Sequence, residues 1–113
     1  MIVEIRTYRL HPGTRDDFVG TMRQVVPMLA RHGIDVVDCG PSLVDEDGAE
    51  EAYLIRAFES LEERDRLEGA FYGSDEWRLG PREAIVSRIA HYHTIVIEAS
   101  ADAVRALRRV GAA

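Results

Sequence analysis

From the second residue on, apolar and polar positions alternate. Over Ile2–Leu10 one set of alternate positions carries Val3, Ile5 and Thr7, and the other carries Ile2, Glu4, Arg6, Tyr8 and Leu10. A period of two is the mark of a β-strand. His11-Pro12-Gly13 ends it, and the period then changes: Phe18, Met22, Val25 and Leu29 fall on one face of a helix. Thr14 is predicted to cap that helix, with Asp17 in the capping-box position, and Pro27 to kink it or restart it near residue 26. His32-Gly33 supplies the stop. Ile34–Val44 reads as a second strand, and Gly40-Pro41 within it predicts a bulge or an edge position. Asp45-Glu46-Asp47-Gly48 is a hairpin loop into a third strand, Glu51–Phe58, where Tyr53, Ile55 and Ala57 alternate with Leu54, Arg56 and Phe58.

Ser60, with Glu63 three residues on, starts a second helix whose buried edge is Leu61, Leu67 and Phe71. Tyr72-Gly73-Ser74 and Gly80-Pro81 delimit two short helices, the second reaching Val86. Arg88–Glu98 is a fourth strand. Its two faces are Ile89, His91, His93, Ile95, Ile97 and Ala90, Tyr92, Thr94, Val96, Glu98. A last helix over Ser100–Val110 would place Val104, Leu107 and Val110 on one side and Arg105, Arg108 and Arg109 on the other.

This order, β-α-β-β-α-β, predicts an α+β fold: a ferredoxin-like antiparallel sheet in the order 4-1-3-2 with the first strand central. Residues 1–99 form the domain and 100–113 a C-terminal helical tail. The two long helices then cover one sheet face. Val3 and Ile5 are expected beneath them, which leaves Glu4, Arg6, Tyr8 and Leu10, with Leu54 and Phe58, on the open face. An apolar open face marks an interface. A homodimer of face-to-face sheets is therefore expected, with a cavity between them into which Arg6 points.

Composition changes this picture little. At 113 residues the chain makes one domain, and 46% hydrophobic with 30% charged residues is ordinary for a globular protein. A net charge of −6 argues against nucleic acid or an anionic membrane surface as partner. All fourteen basic residues are arginine, so no Schiff-base or P-loop lysine is available. The single cysteine, Cys39, permits no internal disulfide and is read as a small buried hydrophobe. No basic-then-apolar leader and no apolar run near the roughly 20 residues of a membrane helix is seen, so a cytoplasmic protein is expected.

The candidate chemistry lies on the strands. Glu4, Arg6 and Tyr8 share a face: Arg6 could hold an anionic or carbonyl oxygen and Tyr8 donate a hydrogen bond or a proton, or Glu4 and Arg6 could form an ion pair that fixes the dimer's register. Arg56 is a further basic candidate. His91 and His93 could act as general base, line an interface, or ligate a metal. A metal needs a third ligand, and among His11, His32 and Glu4 nothing singles one out, so no metal and no cofactor are expected. Trp77 could wall a ligand pocket or plug one end of the core. The acidic tip Asp45–Glu51 reads as a solvated loop.

Taken together, Ile2-Val-Glu-Ile-Arg-Thr-Tyr-Arg-Leu-His-Pro-Gly13, His32-Gly33, Ala57-Phe-Glu-Ser-Leu-Glu-Glu-Arg64 and Ser74-Asp-Glu-Trp77 resemble a NIPSNAP family protein over about residues 1–98. That family belongs to the dimeric α/β-barrel superfamily, so the resemblance implies a dimeric barrel. It assigns no reaction, for the superfamily includes cofactor-free monooxygenases, haem-degrading enzymes, cyclases and stress-response proteins. Arg6, Tyr8 and Trp77 match the family pattern; His91, His93 and the tail do not. Two functions follow as expectations. One is binding or conversion of a small molecule, by cofactor-free oxygenase or isomerase and cyclase chemistry, with Tyr8, His91 and His93 catalytic and Glu4, Arg6, Arg56 and Trp77 binding substrate. The other is a non-catalytic dimeric interaction module.

Overall fold

The strand that opens the chain, β1 (Ile2–Leu10), runs through the middle of a four-stranded sheet. β3 (Glu51–Phe58) and β4 (Ile89–Glu98) flank it, both antiparallel, and β2 (Asp35–Pro41) joins β3 at the edge. The order β2-β3-β1-β4 is the ferredoxin-like one read from the sequence. The computed structural model describes residues 1–109. α1 (Arg15–Arg31) follows β1 and α2 (Leu61–Tyr72) follows β3. Two short helices, α3 (Asp75–Arg78) and α4 (Arg82–Val86), lead into β4, and α5 (Ala101–Leu107) follows it.

The apolar stripe Phe18, Met22, Val25 and Leu29 is buried under α1. Pro27 lies on the exposed side and neither ends nor restarts that helix. Proline removes one backbone bond, and the packed stripe on either side outweighs it. Thr14 does not cap through its side chain; its hydroxyl donates to the His11 carbonyl at 2.6 Å. Glu50 of the β2–β3 connection instead accepts from the Arg15 N–H, the first amide of the helix, at 3.1 Å and from the Gly13 N–H just before it at 2.5 Å. At the other end Gly33 takes a φ of 80°, open to glycine without strain. The Gly33 and Ile34 amides then return to the carbonyls of Ala30 and Leu29, both at 3.0 Å, a Schellman closure. β2 is an edge strand, but its bulge falls at Val37 rather than at Gly40-Pro41, and the strand stops at Pro41, short of Val44.

The sheet faces are the reverse of those expected. Tyr8, Leu10, Leu54 and Phe58 pack in one core with Phe18, Met22, Leu29 and Phe71, so the Glu4-Arg6-Tyr8 face lies beneath the helices. The Val3-Ile5-Thr7 face is the open one. In register with it stand Tyr53, Ile55 and Ala57 on one side and His93, Ile95 and Ile97 on the other. The reason is side-chain size. The α1 stripe consists of large residues that need large partners, which Tyr8, Leu10, Leu54 and Phe58 provide, while the open face is mostly β-branched and flat. The charges on the covered face are tolerated because their counter-charges are buried with them.

Among the described residues only α5 lies on the open face. Its Val104 packs on Val3, Val37 and Ala57. Leu107, expected on the same packed side, is exposed; Val110 lies outside the described residues. Beyond α5 the chain crosses to the sheet edge. Arg108 reaches both carboxylate oxygens of Asp35 at 2.7 Å, and the Arg109 amide donates to the Val37 carbonyl at 3.0 Å.

Candidate functional site

A cavity of about 590 Å³ lies between the covered face of the sheet and the helices. Met22, Val25 and Leu29 of α1, Phe71 of α2, Trp77 of α3, Ile85 of α4 and Ile89 of β4 give it apolar walls. Arg6, Tyr8, Arg64, Glu68 and Tyr72 converge at its polar side, with Asp65 and Arg82 exposed at the mouth. Arg6 thus reaches a cavity, but one inside a single chain and not between two sheets.

Behind the polar side sits a buried charge cluster. β1 supplies Glu4 and β3 supplies Arg56, directly opposite each other in the register and both wholly buried. One turn apart on α2, Arg64 and Glu68 project onto them. Arg56 donates to Glu4 through Nε at 2.8 Å and again through Nη2, to Glu68 through Nη2 at 2.5 Å, and to the Tyr72 hydroxyl through Nη1 at 2.8 Å. Arg64 Nε lies 2.7 Å from Glu4 and 2.9 Å from Glu68. Each carboxylate is therefore held by both guanidiniums. Arg6 is less tightly held. Its Nε donates to Thr94 Oγ1 at 3.0 Å and its plane lies over the Tyr92 ring, 5.2 Å from the centroid, but its Nη2 stays 3.7 Å from Glu68 and 3.9 Å from Glu4.

The two carboxylates are driven apart. Burial alone would raise Glu4, but the Arg56 charge beside it and the hydrogen bonds from Arg56 and Arg64 outweigh that and bring it down to about 2. Burial raises Glu68, and Glu4 beside it adds to the rise against the pull of Arg56 and Arg64. A proton entering the cluster settles on Glu68, which faces the cavity, and not on Glu4, which does not. Tyr8 packs against Phe18 at 4.9 Å between ring centroids. Burial pushes its phenol far up, only partly offset by the Arg6 charge, so it stands at neutral pH as a donor. Trp77 plugs one end of the core, 5.4 Å from Phe71 and 5.3 Å from Tyr72, and lines the cavity as well.

Of the residues singled out by sequence, Arg6, Tyr8 and Trp77 meet in this cavity. Glu4 and Arg56 stand behind its wall, where they hold α2 to the sheet and no cavity ligand reaches them. His91 and His93 are on the open face, exposed, in register with Arg9 and Thr7. A joint site of Tyr8 with the two histidines is therefore corrected: the sheet itself separates them. Among the described residues no group of three or more His, Cys, Asp or Glu side chains gathers in a metal-binding arrangement. Cys39 is buried, and burial pushes its thiol up, away from reactivity. Sequence reading missed Arg64, Glu68 and Tyr72. Their spacing carried a signal, since 64, 68 and 72 are four apart and share a helical face next to Phe71.

The NIPSNAP family model matches residues 3–102. Among solved structures, an uncharacterized NIPSNAP domain protein from Burkholderia xenovorans matches with a TM-score of 0.75 at 17% identity, over 89% of this chain and 96% of that one. A NIPSNAP family protein with unknown function from Agrobacterium tumefaciens matches at 0.73 and 22% identity, over 88% of each chain. An antibiotic biosynthesis monooxygenase matches at 0.60 and 10% identity, over 88% of this chain and 99% of that one. Comparison with curated proteins gives no match. At such identities the solved structures share the fold, the four-stranded sheet with its helices on one face. The family match runs unbroken from β1 into the first turn of α5, and by it this chain belongs to the NIPSNAP family.

Proposed function

We propose that this NIPSNAP chain binds a small molecule in the cavity between its own sheet and helices, and converts it without a cofactor. The observation that carries this reading is the cavity: about 590 Å³, against the roughly 300 Å³ at which small-ligand pockets begin, with apolar walls and polar groups on one side. Arg6 would stabilise negative charge growing on a ligand oxygen, and Glu68 and Tyr8 would move or hold a proton beside it. Those roles suit isomerisation, cyclisation or cofactor-free oxygenation. The monooxygenase that shares the fold makes oxygenation the first class to assay.

Native mass spectrometry of the intact protein tests this. The expected result is a retained small organic molecule that Ile85→Trp, filling the cavity, displaces. Retention unchanged in an Ile85→Trp protein with native circular dichroism would overturn it. A second reading, a dimeric interaction module, is favoured by a different observation. Ile95 and Ile97 on the open face remain 47% and 46% exposed beside Ile5 and Ile55. That surface suits a second copy of the chain, and such a homodimer leaves the cavity untouched.

A further inference from the structure

The buried charges around the cavity do not cancel. Glu4 and Glu68 are matched by Arg56 and Arg64, each guanidinium bonding both carboxylates at hydrogen-bond distance. Two anions and two cations close on themselves. At the mouth, exposed Asp65 accepts from Arg64 Nη1 at 3.1 Å, and Arg82 stands exposed to solvent. Arg6 is the cation in excess. Its side chain is 17% exposed, its nearest carboxylate oxygens are 3.7 and 3.9 Å away, and among the described residues its one hydrogen bond uses Nε on Thr94. Arg6 lines the cavity, and its terminal amines, the pair that a planar guanidinium offers to an oxygen anion, stay beyond hydrogen-bond distance of both carboxylates. A charge so nearly buried is normally paired. Thr94 and Tyr92 hold the guanidinium by its Nε and its face, which fixes its plane and leaves its outer edge open.

We infer that the ligand is an organic monoanion, bound with its carboxylate or enolate oxygen on the Arg6 terminal amines and its apolar body against Met22, Leu29, Phe71, Trp77, Ile85 and Ile89. One unmatched positive charge calls for one negative charge. A dianion would leave a charge buried without a partner, and a cation would meet Arg6 directly. The apolar walls demand a body of aryl or alkyl carbon. This inference rests on the cavity reading above and adds to it the charge and the polarity of the ligand.

Calorimetric titration with matched pairs tests it: benzoate, cinnamate, 2-naphthoate and decanoate, each against its own primary amide. The acids and amides share shape and differ in charge. The expected result is that at least one acid binds the parent protein about tenfold or more tightly than its amide, and that Arg6→Gln brings the two together. Arg6→Gln leaves the closed group of two arginines and two glutamates intact, so it retains the fold. Equal binding of acid and amide by the parent would overturn the inference and leave the cavity reading standing. Binding of no probe of either kind would overturn both. A preference for acids that survives Arg6→Gln but vanishes in Arg82→Gln would place the anion at the mouth and overturn the assignment to Arg6.

Discussion

Arg56 is the residue on which the buried charges depend. It bonds Glu4, Glu68 and Tyr72 from the middle of β3. Burial alone would lower its ability to hold a proton, and Tyr72, Glu4 and Glu68 outweigh that and keep it charged. Removing one member of such a group strands the others, at a cost of about 3–5 kcal/mol. Arg56→Met is expected to lose that much in urea unfolding, while Arg6→Gln, outside the closed group, should lose no more than about 1 kcal/mol. The same cluster sets the acid limb of stability. Glu4 sits at about 2 in the fold against an ordinary 4.5, so its contribution is present above 4.5 and is lost as pH falls from there toward 2. Glu68 is raised, so its own effect runs the other way, favouring the fold at low pH and fading as pH rises through its folded value. Thermal melts of Glu4→Gln should therefore be flatter than those of the parent between pH 4.5 and 2. Arg6, Tyr8 and Trp77, which line the cavity, were legible as candidates because each is an unusual choice where the pattern puts it. Glu68 was not, because on a helix of low amphipathicity a buried glutamate looks like the solvated face until its partner strands are in place.

The elements themselves were legible where one local rule decides them. Alternation gave the strands, and the apolar stripe with Gly33 gave α1 and its end. Where a distant residue decides, the local rule misled. Thr14 has the chemistry of a cap, yet Glu50, thirty-six positions on, takes the amides of Gly13 and Arg15. Glu50→Ala is accordingly expected to destabilise α1 by about 1 kcal/mol, the usual cost of losing a cap, and Thr14→Ala by clearly less. Urea titrations of the two variants check it, and the reverse ranking would return the cap to Thr14. The Val37 bulge was misplaced for a similar reason. Gly40-Pro41 advertises irregularity in sequence, but the Arg109 amide takes the Val37 carbonyl, so the tail occupies the edge at that point.

At the scale of the molecule the topology followed from the order of elements, and the choice of face did not. Charge on β1 argued for an open face, but the charges belong to the covered one because β3 and α2 bring their partners. The open face that results is apolar over Ile5, Ile55, Ile95 and Ile97, and α5 covers one part of it through Val104. We propose that two copies of the chain meet on the remainder. Sedimentation of the parent at micromolar concentration should show a dimer, and Ile95→Glu should give a folded monomer. A parent that sediments as a monomer would exclude this mode of association.

The central position of β1 has a consequence for how the chain comes to be folded. Ile2 pairs with Phe58 on one side and with Glu98 on the other, so the first strand made is held by the last. On a ribosome, one margin of that strand has no mate until β4 has been synthesised, and closing it spans a long separation in sequence. Folding is then governed by the arrival of β4 more than by the early formation of α1. A chain halted at Ser87, tested by pulsed amide exchange, should leave β1 unprotected, whereas the full-length chain should protect β1 and β4 in the same kinetic phase.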